Sequence, residues 1–396
     1  MLQSFFHIAK RSIGLILQLN AITIIFNRGE TVMLKRIICI CLSLVLLFLS
    51  GCGKSAEVMP NESQDHAVCR ILFVTDDISE NRSSFIWELL QNTVGGNQVQ
   101  ATLAEVNGQA DKTSATLNQV SDGTYDIVIL DRLSGEQSLA WVQRNAGYYP
   151  DTHYICLDAG NLPDFGFDNV TGVVWKDVEA YCFLGAVAAI ASKTGKVAFF
   201  AQPAGERAEL DFLAFYEGAV SVNPDIHAQF YTVSNSAQRE DLHTLTESAL
   251  AFGADMFCLQ NDSLVELLSD VLVSFNGKAE NVYFLTGEEP AARQFLHTDK
   301  RVILDFKFDS KRILTEIIKA CCQAEPLEKT VLASWENDRL QFEYGSAYAA
   351  ILDEEDRGKC VVLRQKIMSG ELTGHLNETI SQEDRQMMIQ KAGETK

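Results

Sequence analysis

Residues 170–226, VTGVVWKDVEAYCFLGAVAAIASKTGKVAFFAQPAGERAELDFLAFYEGAVSVNPDI, decide the fold. Residues 170–175 and 196–201 are short, mostly apolar runs, the pattern of strands buried on both faces. Residues 178–192 are Ala-rich and too long for a strand. Residues 206–222 carry a helical period and stop at Asn223-Pro224, because proline cannot continue a helix. A further strand pattern follows at 226–231. This order of strand, helix, strand, helix, strand is the unit from which a helix-covered parallel sheet is built.

The same alternation extends in both directions. Upstream, strand patterns at 70–75, 98–105, 126–130 and 153–157 alternate with helical periods at 84–94, 112–120 and 138–145. Downstream, strand patterns at 255–260 and 281–285 alternate with helical periods at 238–252 and 263–274. Two successions in one chain predict an α/β protein of two doubly wound parallel-sheet lobes. Ligands of such sheets sit outside the carboxyl ends of the strands, and two lobes place those ends on either side of a cleft.

The chain has 396 residues, 22% charged and 47% apolar, which excludes a disordered chain and a multi-span membrane protein. Its formal charge of −20 argues against nucleic acid, whose phosphates need a basic face. No G-x-S-x-G, H-E-x-x-H, phosphate-binding glycine loop or G-x-G-x-x-G occurs, so the chain is not read as an enzyme. No metal and no cofactor are expected, since the seven His are scattered along the chain. Seven cysteines follow Cys52, mostly inside apolar patterns such as Tyr154-Ile155-Cys156-Leu157, and are read as buried free thiols. Their odd number argues against a full disulfide framework.

The amino terminus carries an address. Lys35 and Arg36 precede 14 uncharged residues, 37–50, a run short for a membrane span and suited to a signal core. Leu49-Ser50-Gly51-Cys52 closes it and resembles the bacterial lipobox, which implies diacylation of Cys52 and cleavage before it. Residues 33–51 are thus a lipoprotein signal peptide, and 52–68 a polar tether to an acidic body that only a lipid would hold at a membrane. Residues 1–32 fit no signal, and Met33 is the expected start.

Within 170–226, Glu179-x-x-Phe183-x-Gly185, Ser192-Lys193-Thr194-Gly195-Lys196-Val197 and Glu217-Gly218-Ala219 with Asn223-Pro224-Asp225-Ile226 resemble the basic membrane protein, or PnrA-like, family. Further pieces are Phe252-Gly253-Ala254-Asp255, residues 303–309 (ILDFKFD) and residues 69–85 (CRILFVTDDISENRSSF). The resemblance runs over roughly residues 69–375. It implies a lipid-anchored substrate-binding protein of an ABC importer, on the extracytoplasmic face of the cell membrane, with permease and ATPase subunits as partners. It also implies a type 1 periplasmic-binding fold, whose lobes are joined by three crossovers and close on a ligand. On that template lobe 1 is 70–175 plus about 287–328, and lobe 2 is 176–286 plus about 329–396.

The family implies a nucleoside-like ligand, its base stacked between aromatic rings and its ribose held by a carboxylate and a lysine. Residue by residue, this points to Ser84 and Phe85 for the first ring, Phe212 or Phe215 for the second with Phe212 favoured, and Asp76 or Asp77 for a carboxylate. It also points to Lys307 for the lysine and to Glu288 in place of the family's ribose carboxylate. Plainer readings stand beside these: Phe85 and Phe212 as core rings, the two aspartates as caps, Lys307 as a solvated charge. A signalling or orphan lipoprotein of the same family, with a degenerate cleft and a regulatory role, is the alternative function. Asp353-Glu354-Glu355-Asp356 is read as the acidic start of a helix rather than a metal cluster.

Overall fold

The computed structural model describes residues 68–394, except 77, 79–80, 92–93, 95, 97, 108, 132–135, 158–165, 202–205, 235–238, 261–262, 276, 278, 288–298 and 373–379. The signal, Cys52 and the tether up to residue 67 therefore lie outside the described residues, as do Asp77 and Glu288.

The first sheet holds β1 (Cys69–Thr75), β2 (Val99–Glu105), β3 (Ile127–Leu130), β4 (His153–Leu157), β5 (Val170–Trp175) and β11 (Thr330–Ala333). Its order is β2-β1-β3-β4-β5-β11, and every pairing is parallel. The second sheet holds β6 (Lys196–Ala201), β7 (His227–Thr232), β8 (Met256–Leu259), β9 (Tyr283–Gly287), β10 (Val302–Phe308) and β12 (Leu340–Tyr344). Its order is β7-β6-β8-β9-β10-β12, parallel except for β12, which runs antiparallel to β10. The central strands β3 and β8 are buried at every residue, as sheets covered on both faces require.

The helices are α1 (Asn81–Leu90), α2 (Ala110–Asn118), α3 (Glu136–Asn145), α4 (Asp177–Ala191), α5 (Glu206–Val222), α6 (Arg239–Phe252), α7 (Ser263–Val273), α8 (Ser310–Cys322), α9 (Tyr348–Ile351), α10 (Glu354–Met368) and α11 (Gln382–Gly393). Buried residues lie all around α4, because α5 and α10 pack on it as well as the second sheet. α8 is amphipathic: it buries Ile313, Leu314, Ile317 and Ile318, each worth about 2 kcal/mol, and Asp309 caps it by accepting from the Arg312 amide at 3.1 Å. The acidic run at 353–356 opens α10 as a cap, with the Asp353 carboxylate accepting from the Asp356 amide at 2.9 Å.

Two strands, β10 and β11, fall in the opposite lobe from the one expected. β10 pairs in the second sheet, with Leu304 opposite Leu285 of β9 and Phe306 opposite Phe342 of β12. Lobe 1 is therefore completed by α8 and β11 rather than by a segment starting at about 287. The chain crosses between lobes after Trp175, after Phe308 and after Ala333, each time from the carboxyl end of a strand. These crossovers are tied together. The Lys176 amide donates to Ala333 O at 2.9 Å, the Asp309 amide to Arg339 O at 2.8 Å and the Trp335 amide to Glu179 Oε2 at 3.2 Å. Burial pushes the Glu179 carboxyl up, opposed by that amide bond. The Trp175 and Phe308 rings, the last residues of β5 and β10, lie 5.2 Å apart, so the carboxyl edges of the two sheets meet here.

Candidate functional site

On the lobe 1 side, a buried chain of hydroxyls joins the ends of β1 and β3 to the start of α1. Ser83 Oγ donates to Asp131 Oδ2 at 2.8 Å, and Thr75 Oγ1 lies 2.9 Å from Ser83 Oγ. Because the Ser83 proton is directed to the carboxylate, Thr75 donates to Ser83 and the polarity ends on Asp131. All three side chains are fully buried, and a carboxylate at that depth requires such donors. This lock seats the first turn of α1 on the sheet edge and so sets where Ser84 and Phe85 stand. Both are partly exposed, with Phe85 also packing on the core. Asp76, just beyond β1, is partly exposed, and its carbonyl accepts from the Asn107 amide at 3.0 Å.

On the lobe 2 side, a second polar cluster stands at the end of β8 and the first turns of α4 and α5. Gln260 Nε2 donates to Asp211 Oδ2 at 2.8 Å, and the Tyr181 hydroxyl donates to the Gln260 carbonyl at 2.9 Å. Arg207 Nη2 pairs with Asp177 Oδ2 at 3.0 Å, and Arg207 Nε lies 4.0 Å from Asp211 Oδ2. Asp211 is buried, whereas the Arg207 side chain keeps 29% of its surface. The result is a fixed guanidinium at the sheet edge, held by two carboxylates and able to present donors to an oxygen-rich solute.

The structure corrects the placement of Phe212. Its ring is fully enclosed, 5.8 Å from the Phe199 ring, 5.1 Å from Phe230 and 6.3 Å from Tyr216, so it packs α5 on β6 and β7 rather than facing the cleft. Phe215 is equally buried. Lys307, near the carboxyl end of β10, forms an ion pair with Glu343 of β12 and is partly buried. Ser83, Asp131, Asp177, Arg207 and Asp211 were not among the expected site residues. Two signals pointed to them: an Arg and an Asp four residues apart in the first turns of a helix that follows a strand, and an Asp directly after an apolar strand.

Among the described residues, no group of His, Cys, Asp and Glu is arranged to hold a metal ion, and no helix is long and apolar enough to cross a membrane.

Comparison with known proteins agrees with this architecture. Residues 74–256 match the Bmp family model, described as ABC transporter substrate-binding protein PnrA-like. The CD4+ T-cell-stimulating antigen of Listeria monocytogenes serovar 1/2a is 23% identical over 237 residues, 57% of this chain. The chain spans 64% of the length of that curated relative. A solute-binding protein of an ABC transporter system from Aeropyrum pernix K1 superposes with a TM-score of 0.62 at 14% identity, covering 82% of this chain and 97% of that one. A transcriptional activator of the comK gene from Bacillus halodurans superposes with a TM-score of 0.58 at 16% identity, covering 77% and 99%. At such identities the two structures establish the fold, which is that of type 1 periplasmic solute-binding proteins.

Proposed function

With residues 74–256 identified as a PnrA-like substrate-binding domain, we propose that the protein is the solute receptor of an ABC importer. It is held by a diacylated Cys52 at the extracytoplasmic face of the cell membrane, and it delivers a small molecule to permease and ATPase subunits. The observation that carries this reading is the meeting of two parallel sheets at their carboxyl edges, across three bonded crossovers, with a buried polar cluster on each side. A hinge of that kind lets the lobes close on a solute, and polar groups fixed before binding lower the entropy lost in closing. Binding, not catalysis, is the activity.

The ligand class is nucleoside-like. Ser84 and Phe85 offer a ring at the lobe 1 edge for stacking a flat base, with Asp76 at the end of β1 for polar edges, or Asp77, which lies outside the described residues. Lys307 and Arg207 supply the lobe 2 side, and the resemblance adds Glu288, which lies outside the described residues.

Full-length protein in detergent micelles, screened by thermal melting against nucleosides, then sugars and amino acids, tests the assignment. A nucleoside present at about 100 times its Kd stabilises the fold by about 2.7 kcal/mol, because only the folded state binds it. The Phe85→Ala variant is expected to need about tenfold more ligand for the same shift. A melting temperature unmoved by every nucleoside would remove the ligand class. A shift unaffected in Phe85→Ala would remove that ring from the site.

The anchor has its own test. Cells fed an alkyne-tagged fatty acid are expected to label the wild-type chain, and Cys52→Ala is expected to lose the label and pass to the soluble fraction. Labelling that persists in Cys52→Ala would place the lipid on another residue, and an unlabelled wild type would remove the anchor.

A further inference from the structure

The amino edge of the first sheet, opposite the cleft, covers a cavity of about 590 Å³. Its walls come from the starts of β1, β3 and β4 and from the end of α8 with the turn that follows. Three of the seven free thiols among the described residues line it: Cys69, the first residue of β1, and Cys321 and Cys322, the last residues of α8. Cys69 and Cys322, far apart in the chain, come together in this lining and perturb each other's titration. Cys69 is buried and Cys322 is partly exposed. The other four, Cys156, Cys182, Cys258 and Cys360, are buried away from this cavity.

We propose that Cys69 and Cys322 are a dithiol modification site, converted to a disulfide by exchange with a small disulfide or a disulfide-bearing oxidoreductase that reaches Cys322 through this cavity. Cys322, as thiolate, attacks one sulfur of the incoming disulfide. A mixed disulfide forms, the incoming S–S bond breaks, and one thiolate leaves and takes up the proton lost by Cys322. Cys69 then attacks the Cys322 sulfur, closing the intramolecular bond and expelling the second thiolate, which takes the Cys69 proton. The two protein thiols are oxidised and the incoming disulfide is reduced to two thiols.

Several features set these roles. Cys322 has the surface that attack requires, and the neighbouring Cys69 thiol holds its own below the usual range, against burial and the nearby Asp126 carboxylate. The Cys322 thiol beside it, with burial, pushes the Cys69 thiol up, which suits a group that acts second. Asp126 is itself held by Arg70, through the backbone amide at 2.7 Å and the guanidinium at 2.7 and 3.2 Å, so its charge stays beside the pair. A disulfide removes the thiolate that this carboxylate opposes. Cys321 is the poorer partner, because adjacent residues of a helix face different ways and burial pushes its thiol up to about 12.

The bond would tie the first strand of lobe 1 to the helix that completes that lobe, without crossing the hinge. It would also secure β1 next to the point where the expected tether joins the fold. The inference is independent of the ligand assignment, since the cavity and the cleft lie at opposite edges of the sheet. Exported chains meet the oxidising surroundings in which such bonds persist.

Full-length protein in detergent micelles, purified under reductant and then exposed to oxidised glutathione, tests the site. Alkylation and peptide mapping are expected to show two thiols lost per chain and a linked peptide joining Cys69 to Cys322. The melting temperature is expected to rise by at least about 5 °C and to fall back on reduction, since the bond closes a long loop. Cys321→Ser is expected to oxidise as the wild type does, and Cys322→Ser to form no internal bond. An unchanged thiol count in the folded wild type overturns the proposal. So does a glutathione adduct that persists on Cys322, or a linked peptide containing Cys321.

Discussion

Gly218→Ala is expected to destabilise the fold by at least about 3 kcal/mol, a large share of the stability of a typical fold. A Cβ at Gly218 of α5 would stand 1.8 Å from the Cys182 carbonyl oxygen of α4, and one at Gly185 of α4 would stand 1.7 Å from the Phe215 carbonyl oxygen of α5. The two glycines let two backbones pass each other at a distance no side chain permits. The opposing atoms are backbone, so no rotamer change relieves the clash and one helix must move. The helix-propensity gain of alanine over glycine, about 1 kcal/mol, does not offset that. Gly358→Ala supplies the contrast. It sits exposed on α10 with nothing within 4 Å of a new Cβ, and it is expected to stabilise by up to about 1 kcal/mol. Chemical denaturation of the three proteins decides the matter, and a Gly218→Ala midpoint level with wild type would show that the crossing can open without loss.

That crossing gives the Glu179-x-x-Phe183-x-Gly185 and Glu217-Gly218-Ala219 patterns a physical meaning. Glu179 binds the third crossover, Phe183 packs edge-on against Trp335 at 4.7 Å and Phe342 at 4.9 Å, and the glycines seat one helix on the other. They build the hinge side of lobe 2, so their reading as a family signature reflects a packing demand. Strand positions were legible for a similar reason. A parallel strand buried on both faces must be apolar throughout, and β6 begins and ends where the run at 196–201 does. Which sheet a strand joins is another matter. The residues of β10 satisfy either sheet by pattern, and their place is settled by the edge that β9 and β12 offer.

The candidate site was less legible because its polar groups resemble surface residues in sequence. Asp211 lies on the buried face of α5, between apolar neighbours, and Gln260 from another part of the fold, with Arg207 one turn earlier on α5, helps make that tolerable. Phe212 failed in the opposite sense, since an aromatic at helical spacing satisfies a core and a ligand pocket equally well. The loop positions Asp77 and Glu288 remain as the resemblance places them. The thiol pair at Cys69 and Cys322 had no local signal at all, because the two residues meet only once the first sheet is complete.

Acidification is expected to weaken the fold through His153, with wild type losing about 2 kcal/mol more than His153→Gln between neutral pH and about pH 5. His153 opens β4, and its Nε2 lies 3.0 Å from Thr171 Oγ1. That hydroxyl gives its own proton to the Glu328 carbonyl at 3.1 Å, so the imidazole is the donor and is neutral with Nε2 protonated. A second proton would go on Nδ1 of a largely buried ring, and burial lowers the folded pKa from 6.5 to about 4. Between those values the unfolded chain takes up a proton that the folded chain refuses. The His153 contribution is therefore fully present above about pH 6.5, falls as pH drops, and is spent below about pH 4. Asp126, Asp151, Asp168 and Glu325 line the same cavity and favour a charged imidazole, so the full span of about 3 kcal/mol is an upper bound. In His153→Gln the new amide keeps an N–H donor toward Thr171 without a titrating ring, so denaturant midpoints of both proteins across this pH range isolate the histidine. Parallel curves would mean that His153 takes up its proton in the folded state as readily as in the unfolded one, and that the ring is open to water.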